Sequence, residues 1–384
     1  MIFYTEDDGL ANNDVRDLTK DEQGYLWIAA GNGLSKFDGN KFINFHTTDG
    51  LPGNMVWAVA HDEKNRIYAA CYRSGLAIIE NNKVVKVLHI NGNDRIRKLY
   101  YSKQHHLLFL GTDKGIYALQ DTTFYLLSYP NSPAQSSILA ILEHEGVIYF
   151  TDYTDISQKN NGGLFRIDIN DQEISKSKVT RIIGNGNGYA LAALDKAIYV
   201  NYGVDIYQYI PAKKTISLFA KNDSLFLTWA MASFKGNKIL LGGTREEAYH
   251  SGIKILDTNT HQISNLSSES TISAINNLIV DEQEGLIWIC TETGLQCMSN
   301  SPFEVIPSVD KSRIIDIKML NDSLFVLSND NVWLYKNGKQ KIIQDKNFLF
   351  RKIKERSDDY SSKIGFNKNG NHKLIGNRFY EKDI

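Results

Sequence analysis

Apolar residues occur in this chain as short runs broken by polar turns, and the runs repeat. From Gly24 to Phe45 the sequence reads GYLWIAAGNGLSKFDGNKFINF: an apolar strand with an aromatic near its start, a short loop, a Gly-aliphatic step and a second strand. Near-copies run from Arg66 to Ile79 (RIYAACYRSGLAII), Leu107 to Leu119 (LLFLGTDKGIYAL) and Leu286 to Met298 (LIWICTETGLQCM), with weaker ones elsewhere. Runs this short, rich in aromatic and β-branched residues, read as strands. An all-strand unit returning roughly every 40 residues belongs to a propeller or a solenoid.

The marker of each unit is the aromatic or aliphatic residue in the middle of its second strand. The markers are Trp27, Tyr68, Phe109, Tyr149, Tyr199, Leu240, Trp288 and Phe325, with a degenerate one at Leu374. Each unit reads as four strands. In the first, strand a is Asp14 to Leu18 and strand b Tyr25 to Ala30; strand c is Leu34 to Asp38 and strand d Lys41 to His46. Phe3 to Leu10 (FYTEDDGL) matches Phe45 to Leu51 (FHTTDGL), so residues 2–5 read as a strand d with no a, b or c before it. Such a strand completes the last blade and hides the open edges of the ring. Its expected partner is Leu295 to Met298, where the seventh unit stops at strand c before Ser299-Asn300-Ser301-Pro302. The expected architecture is therefore all-β. A seven-bladed propeller of four-stranded blades spans residues 1–300, and residues 301–384 supply the first blades of an incomplete second propeller. Trp27, Tyr68 and Trp288 recur at one position and are expected to pack between blades.

Composition narrows the function classes. A net charge of -1 gives no electrostatic case for nucleic acid or an anionic membrane surface. No run approaches the ~18–20 apolar residues of a membrane span, and the first residues lack the basic and apolar regions of a signal peptide. Cys71, Cys290 and Cys297 make no disulfide framework and read as small buried hydrophobes. The acidic turns at Asp21, Asp62 and Asp281 read as turn chemistry and not as Ca²⁺ sites. His105 and His106 are adjacent; on a strand they would point to opposite faces and share no metal. Gly184 to Gly188 (GNGNG) lacks the Lys-Ser/Thr of a phosphate loop and reads as a blade connection. No metal, cofactor or catalytic residue is expected.

The pattern Gly9-Leu10, Asn13, Val15, Asp21, Gly24, Leu26-Trp27-Ile28, Gly33-Leu34, Phe37-Asp38-Gly39 resembles the two-component regulator propeller repeat. Gly50-Leu51-Pro52 with Asn54, Val56 and Asp62, and Asp281 with Gly285 to Ile289 and Gly294-Leu295, carry the same likeness. The chain thus resembles the extracytoplasmic sensor region of Bacteroidetes-type hybrid two-component sensor kinases and regulators. The resemblance implies a periplasmic or extracytoplasmic module without catalysis of its own. It also implies downstream sensor-kinase or regulator domains in the parent protein, and a small-molecule or oligosaccharide ligand. A homodimer is left open, and no membrane contact by this segment is expected.

Ligand sites of propellers lie where the d–a and b–c connections meet the central channel. Two b–c insertions mark that face, one with Asp152, Tyr153 and Asp155, the other with Arg245, Glu246, Glu247, Tyr249 and His250. Tyr202 lies in the b–c region of the blade between them. On strand a, the residue after a repeated aliphatic is Arg16, Trp57, Arg97 or Asn276, with Trp229 as an equivalent. The candidate ligand residues are Trp57, Arg97, Asp152, Tyr153, Tyr202, Arg245, Tyr249 and His250. The tyrosines would give flat apolar contacts, and Arg97 and Arg245 charge-assisted donors. Two other readings remain: a propeller hydrolase or lyase with its active site on this face, for which only Glu246, Glu247 and His250 are dense enough, and a protein-interaction scaffold.

Overall fold

The computed structural model describes residues 2–90, 95–127, 137–154, 162–184, 186–222, 226–245, 252–266 and 274–299, and beyond them strands at 314–320, 323–328, 332–336, 339–343, 372–375 and 378–381. The chain divides into two compact units, Met1–Asn300 and Ser301–Ile384. The first is a seven-bladed propeller. Each blade is an antiparallel four-stranded sheet in meander order, a to d from the channel outward. The innermost strands are Val15–Lys20, Val56–His61, Ile96–Ser102, Ser137–His144, Gly188–Leu194, Phe226–Phe234 and Ile275–Asp281. The second unit contains a four-stranded sheet and a hairpin.

The blades form because strand b is apolar on both faces and is sandwiched between neighbouring blades. Its markers Trp27, Tyr68, Phe109, Tyr149, Tyr199, Leu240 and Trp288 are all buried. Trp27 packs on Phe45 at 5.5 Å between ring centres, and Trp288 stacks on Tyr4 at 6.2 Å. Strand c opens on a glycine in the left-handed region, at φ +134° for Gly33, +111° for Gly75 and +145° for Gly294. A Cβ on Gly75 would lie 2.7 Å from the Leu88 carbonyl oxygen, so the Gly-aliphatic step is steric in origin.

The ring closes through Ile2–Tyr4, which pairs with the seventh blade in the register Ile2–Cys297, Phe3–Gln296, Tyr4–Leu295. The two matching connections have one form, with 3-10 turns Glu6–Asp8 and Thr47–Asp49 each ending at a left-handed glycine. The seam between blades 7 and 1 is also pinned by side chains. Asn276 Nδ2 donates to the Val15 carbonyl at 2.8 Å, and Lys20 bridges Asp281 (2.7 Å) and Glu284.

The acidic turns hold themselves. Asp21 accepts the backbone N–H groups of Gln23 and Tyr25 and the indole N–H of Trp27 at 2.8 Å. Asp62 does the same for Lys64 and Arg66 and for the Tyr68 hydroxyl. In blade 7 Lys20 has taken the Asp281 carboxylate, and among the described residues the Trp288 indole N–H has no partner. The three cysteines are free thiols, and all three are buried. Burial pushes the Cys71 and Cys297 thiols up to about 12. Cys290 lies opposite Leu295 and Cys297 opposite Trp288, so the two do not face each other. His105 and His106 sit in a turn and not on a strand, a correction to the expectation. Their conclusion of separation stands, because His105 binds Asp171 and the Gly146 carbonyl while His106 binds Glu63.

Candidate functional site

One irregularity recurs in every blade and builds the site. Strand a pairs with strand b without a break except near its start, where the register shifts by one residue. Val15 faces Ala30 and Asp17 faces Ala29, leaving Arg16 between them as a bulge. The same shift falls between Val56 and Ala58, Ile96 and Lys98, Ile138 and Ala140, Thr228 and Ala230, and Ile275 and Asn277. In blade 5 it falls between Gly188 and Leu191. A bulge twists the strand and re-aims one side chain. Seven such residues, Arg16, Trp57, Arg97, Leu139, Tyr189, Trp229 and Asn276, thus ring the channel on the face that carries the b–c connections.

The next residue in each blade forms a second layer: Asp17, Ala58, Lys98, Ala140, Ala190, Ala230 and Asn277. Four are alanines, three of them (Ala58, Ala190 and Ala230) in the apolar core, and the three polar residues meet one another. Lys98 Nζ lies 2.9 Å from Asp17 Oδ1, and Asn277 Nδ2 donates to the same oxygen at 2.5 Å. The backbone N–H of Val59 donates to Asp17 Oδ2 at 3.3 Å. Blades 1, 2, 3 and 7 are therefore linked through one carboxylate, which floors the vestibule below the bulge residues.

The vestibule has two halves. On blades 4 to 6, Tyr189 lies 5.7 Å from Tyr153 and meets Trp229 edge-on at 5.3 Å. Trp229 is 38% exposed, and its indole N–H donates to Thr244 at 3.2 Å. On blades 1 to 3, Trp57 stacks on Tyr72 at 4.7 Å with Arg97 above it at 4.6 Å. Asp113 orients Arg97 and lies 3.4 Å from Arg95, and Ser137 of the next blade donates to Asp113 at 3.2 Å. Flat apolar faces and fixed guanidinium donors are what a sugar ring or an anion requires. Among the described residues no group of His, Cys, Asp and Glu is arranged to hold a metal.

The structure brings Trp57 and Arg97 together in one half and places Tyr153 in the other. Tyr202 joins neither: its hydroxyl donates to the Gly184 carbonyl at 2.5 Å and its ring meets Tyr207. Asp152 is wholly buried at the end of strand b. Arg245 ends strand b of blade 6 opposite Phe226, but its side chain, and Asp155, Glu246, Glu247, Tyr249 and His250, lie outside the described residues. Sequence reasoning missed Tyr72, Tyr189, Leu139 and the Asp17–Lys98 floor. The aliphatic-X-small pattern of strand a points to Leu139. In blade 5 Gly188 replaces the aliphatic, which hides Tyr189.

Residues 9–32 match the family described as two component regulator propeller. No curated protein matches the chain by sequence. Three of the solved structures that share its fold are the following. The extracellular domain of a one-component system from B. thetaiotaomicron has a TM-score of 0.60 at 17% identity, over 87% of this chain and 47% of its own. The extracellular domain of a hybrid two-component system from the same organism has 0.58 at 18%, over 99% and 54%. PorZ, a surface component of the type-IX secretion system of Porphyromonas gingivalis, has 0.62 at 13%, over 88% and 59%. The chain spans about half the length of these structures. Among the described residues no helix is long and apolar enough to cross a membrane. By fold, the first unit is a seven-bladed propeller, and its residues 9–32 are similar to the two component regulator propeller family.

Proposed function

We propose that this propeller is the ligand-binding sensor module of a two-component signalling protein, placed outside the cytoplasm, and that a glycan or similar small ligand enters the vestibule on its bulged face. One observation carries the reading. All seven innermost strands break register at the same level, and the side chains released there form aromatic and guanidinium groups above a closed polar floor. A purely structural ring needs no such layer, since the blades pack through strands b and c. The neighbours that are extracellular domains of one- and two-component systems support the sensory role and the location. Residues 301–384 fit the first blades of a second propeller, and output domains belong to the parent protein.

The test is a panel of neutral and acidic oligosaccharides titrated against the purified chain by calorimetry, with turnover followed in parallel. Binding without turnover is expected. Trp229→Ala and Tyr153→Ala should each weaken it about tenfold, the loss of one stacking contact. Shortening both b–c insertions should do at least as much. Unchanged binding in folded Trp229→Ala and double-deletion proteins would place the ligand elsewhere, and turnover would make the chain an enzyme.

A further inference from the structure

Among the described residues, guanidinium groups gather in one half of the vestibule, and this specifies the ligand further. Around the stacked Trp57 and Tyr72 stand four guanidinium groups. Arg97 and Arg16 lie over Trp57 at 4.6 and 5.6 Å, and Arg73 and Arg95 each lie 5.4 Å from the Tyr72 ring. The carboxylates bonded to this group are Asp14, on Arg16, and Asp113, on Arg95 and Arg97. Among the described residues of this group, four cations meet two carboxylates. The other side presents the aromatic group of Tyr153, Tyr189 and Trp229.

Hydrogen bonding points the same way. Arg16 spends its Nη2 on Asp14, but its Nε is buried without a partner among the described residues, and so is the indole N–H of Trp57 on the adjacent blade. Two buried donors from neighbouring bulges, one of them cationic, therefore lack an acceptor. Beside them Asp14 Oδ1 is a buried acceptor without a donor. Buried polar groups in folded proteins are almost always bonded, so these three enclosed atoms describe the partner they would take, a ligand group or a water. That partner offers an oxyanion to Arg16 and Trp57 and a hydroxyl to Asp14. The pairing of an acidic group with adjacent hydroxyls is found on acidic sugars.

We infer that the half of the vestibule built by blades 1 to 3 is an oxyanion subsite, in which Arg16, Trp57 and Arg97 select sugars bearing a carboxylate or a sulfate ester. The inference rests on the vestibule being the ligand site. The aromatic half then stacks on the neighbouring ring of the same oligosaccharide, so the ligand lies across the channel mouth in one orientation. Arg97 supplies charge while Asp113 fixes its position. Trp57 supplies both a donor and the plate on which two guanidinium groups rest.

The experiment uses the whole chain and two kinds of probe. The first is inorganic sulfate against chloride at matched ionic strength, read as a saturable rise in melting temperature. The second is a pair of oligosaccharides of one shape and two charges: tetragalacturonate and its methyl ester, with a sulfated galactose tetrasaccharide and its desulfated form to separate carboxylate from sulfate. Wild type should bind each acidic member at least about tenfold more tightly than its neutral partner, with the preference shrinking as salt rises. Arg16→Gln and Arg97→Gln should abolish that preference, each weakening the acidic member at least about fivefold more than its neutral partner. Trp57→Phe keeps the ring, removes the N–H donor and should reduce the preference by several fold. Trp229→Ala should weaken acidic and neutral forms alike. Equal binding of acid and ester refutes the subsite while leaving the glycan site standing, and so does a preference that survives both arginine substitutions. Sulfate protection lost in Arg16→Gln and Trp57→Phe, with no oligosaccharide bound, keeps the subsite and overturns the glycan reading. Sulfate protection equal in wild type and all variants, with no oligosaccharide bound, overturns both.

Discussion

Replacing Lys98 by Met should destabilise the ring more than any other change at its axis. The ammonium lies 2.9 Å from Asp17, whose side chain is 4% exposed. Without it, Asp17 keeps Asn277 Nδ2 and the Val59 N–H, but one charge is left in a nearly closed channel. Removing one partner of a buried ion pair costs about 3–5 kcal/mol. Lys98 is itself 23% exposed, so part of its desolvation is never incurred. Two of the three bonds to the carboxylate survive, each worth about 1.5–3 kcal/mol. The expected cost is therefore about 2–3 kcal/mol. Adding Asp17→Asn removes the stranded charge, although its one amide oxygen keeps only one of the two donors, Asn277 or the Val59 N–H, that bind different carboxylate oxygens. The double variant should recover about 1 kcal/mol of the Lys98→Met loss, so the two substitutions should cost less together than the sum of each alone. Urea unfolding of the four proteins, followed by tryptophan fluorescence, measures the cycle. A Lys98→Met cost below about 0.5 kcal/mol, the scale of an ordinary surface substitution, would show that the floor bears no load.

Trp27→Ala should cost about 3–5 kcal/mol, the range for a buried aromatic, whereas Trp27→Phe should cost about 1–2 by stripping Asp21 of its indole donor; comparable losses from both would mean that packing on Phe45 is unimportant. Gly294→Ala should open the closing seam, since its Cβ would lie 2.6 Å from the Tyr4 carbonyl oxygen; limited proteolysis should then cut near residues 2–13, and an unchanged digest would contradict this reading of the closure. Glu63 supplies a pH test. The Tyr101 hydroxyl bonded to it, aided by His106, holds its carboxyl at about 2 against an ordinary 4.5. Because the folded value is depressed, its stabilisation is complete above 4.5 and drains away as the pH falls toward 2. Glu63→Gln should flatten the stability profile across that window, and parallel profiles would remove Glu63 from the account.

The fold was legible because its determinants are local. The apolar marker of strand b, the Asp turn before it and the Gly-aliphatic step after it lie within a few residues of one another, and each answers a local demand: burial, a bonded turn, a left-handed backbone. The partner of Ile2–Tyr4 was legible because Gln296 and Cys297 end a blade that lacks its outer strand. The bulge layer was half legible. Val15-Arg16, Val56-Trp57 and Ile96-Arg97 repeat visibly, whereas Gly188-Tyr189 breaks the pattern while keeping the geometry. The floor was not legible at all. Asp17 and Lys98 lie on strands of different blades, 81 residues apart, and their contact is set only by how the closed ring places those strands. The direction of Tyr202 was equally hidden, because it is set by the Gly184 carbonyl of the preceding blade.

A bulged residue answers to no cross-strand partner. Its replacement leaves the ladder pairs on either side in place and gives up only side-chain contacts, such as Asn276 to the Val15 carbonyl and Trp229 to Thr244. The seven bulge positions can therefore vary more freely than Gly33, Trp27 and their equivalents. In this ring they read Arg, Trp, Arg, Leu, Tyr, Trp, Asn. A lineage of such rings could acquire new ligands by rewriting those seven letters, without renegotiating the architecture that presents them.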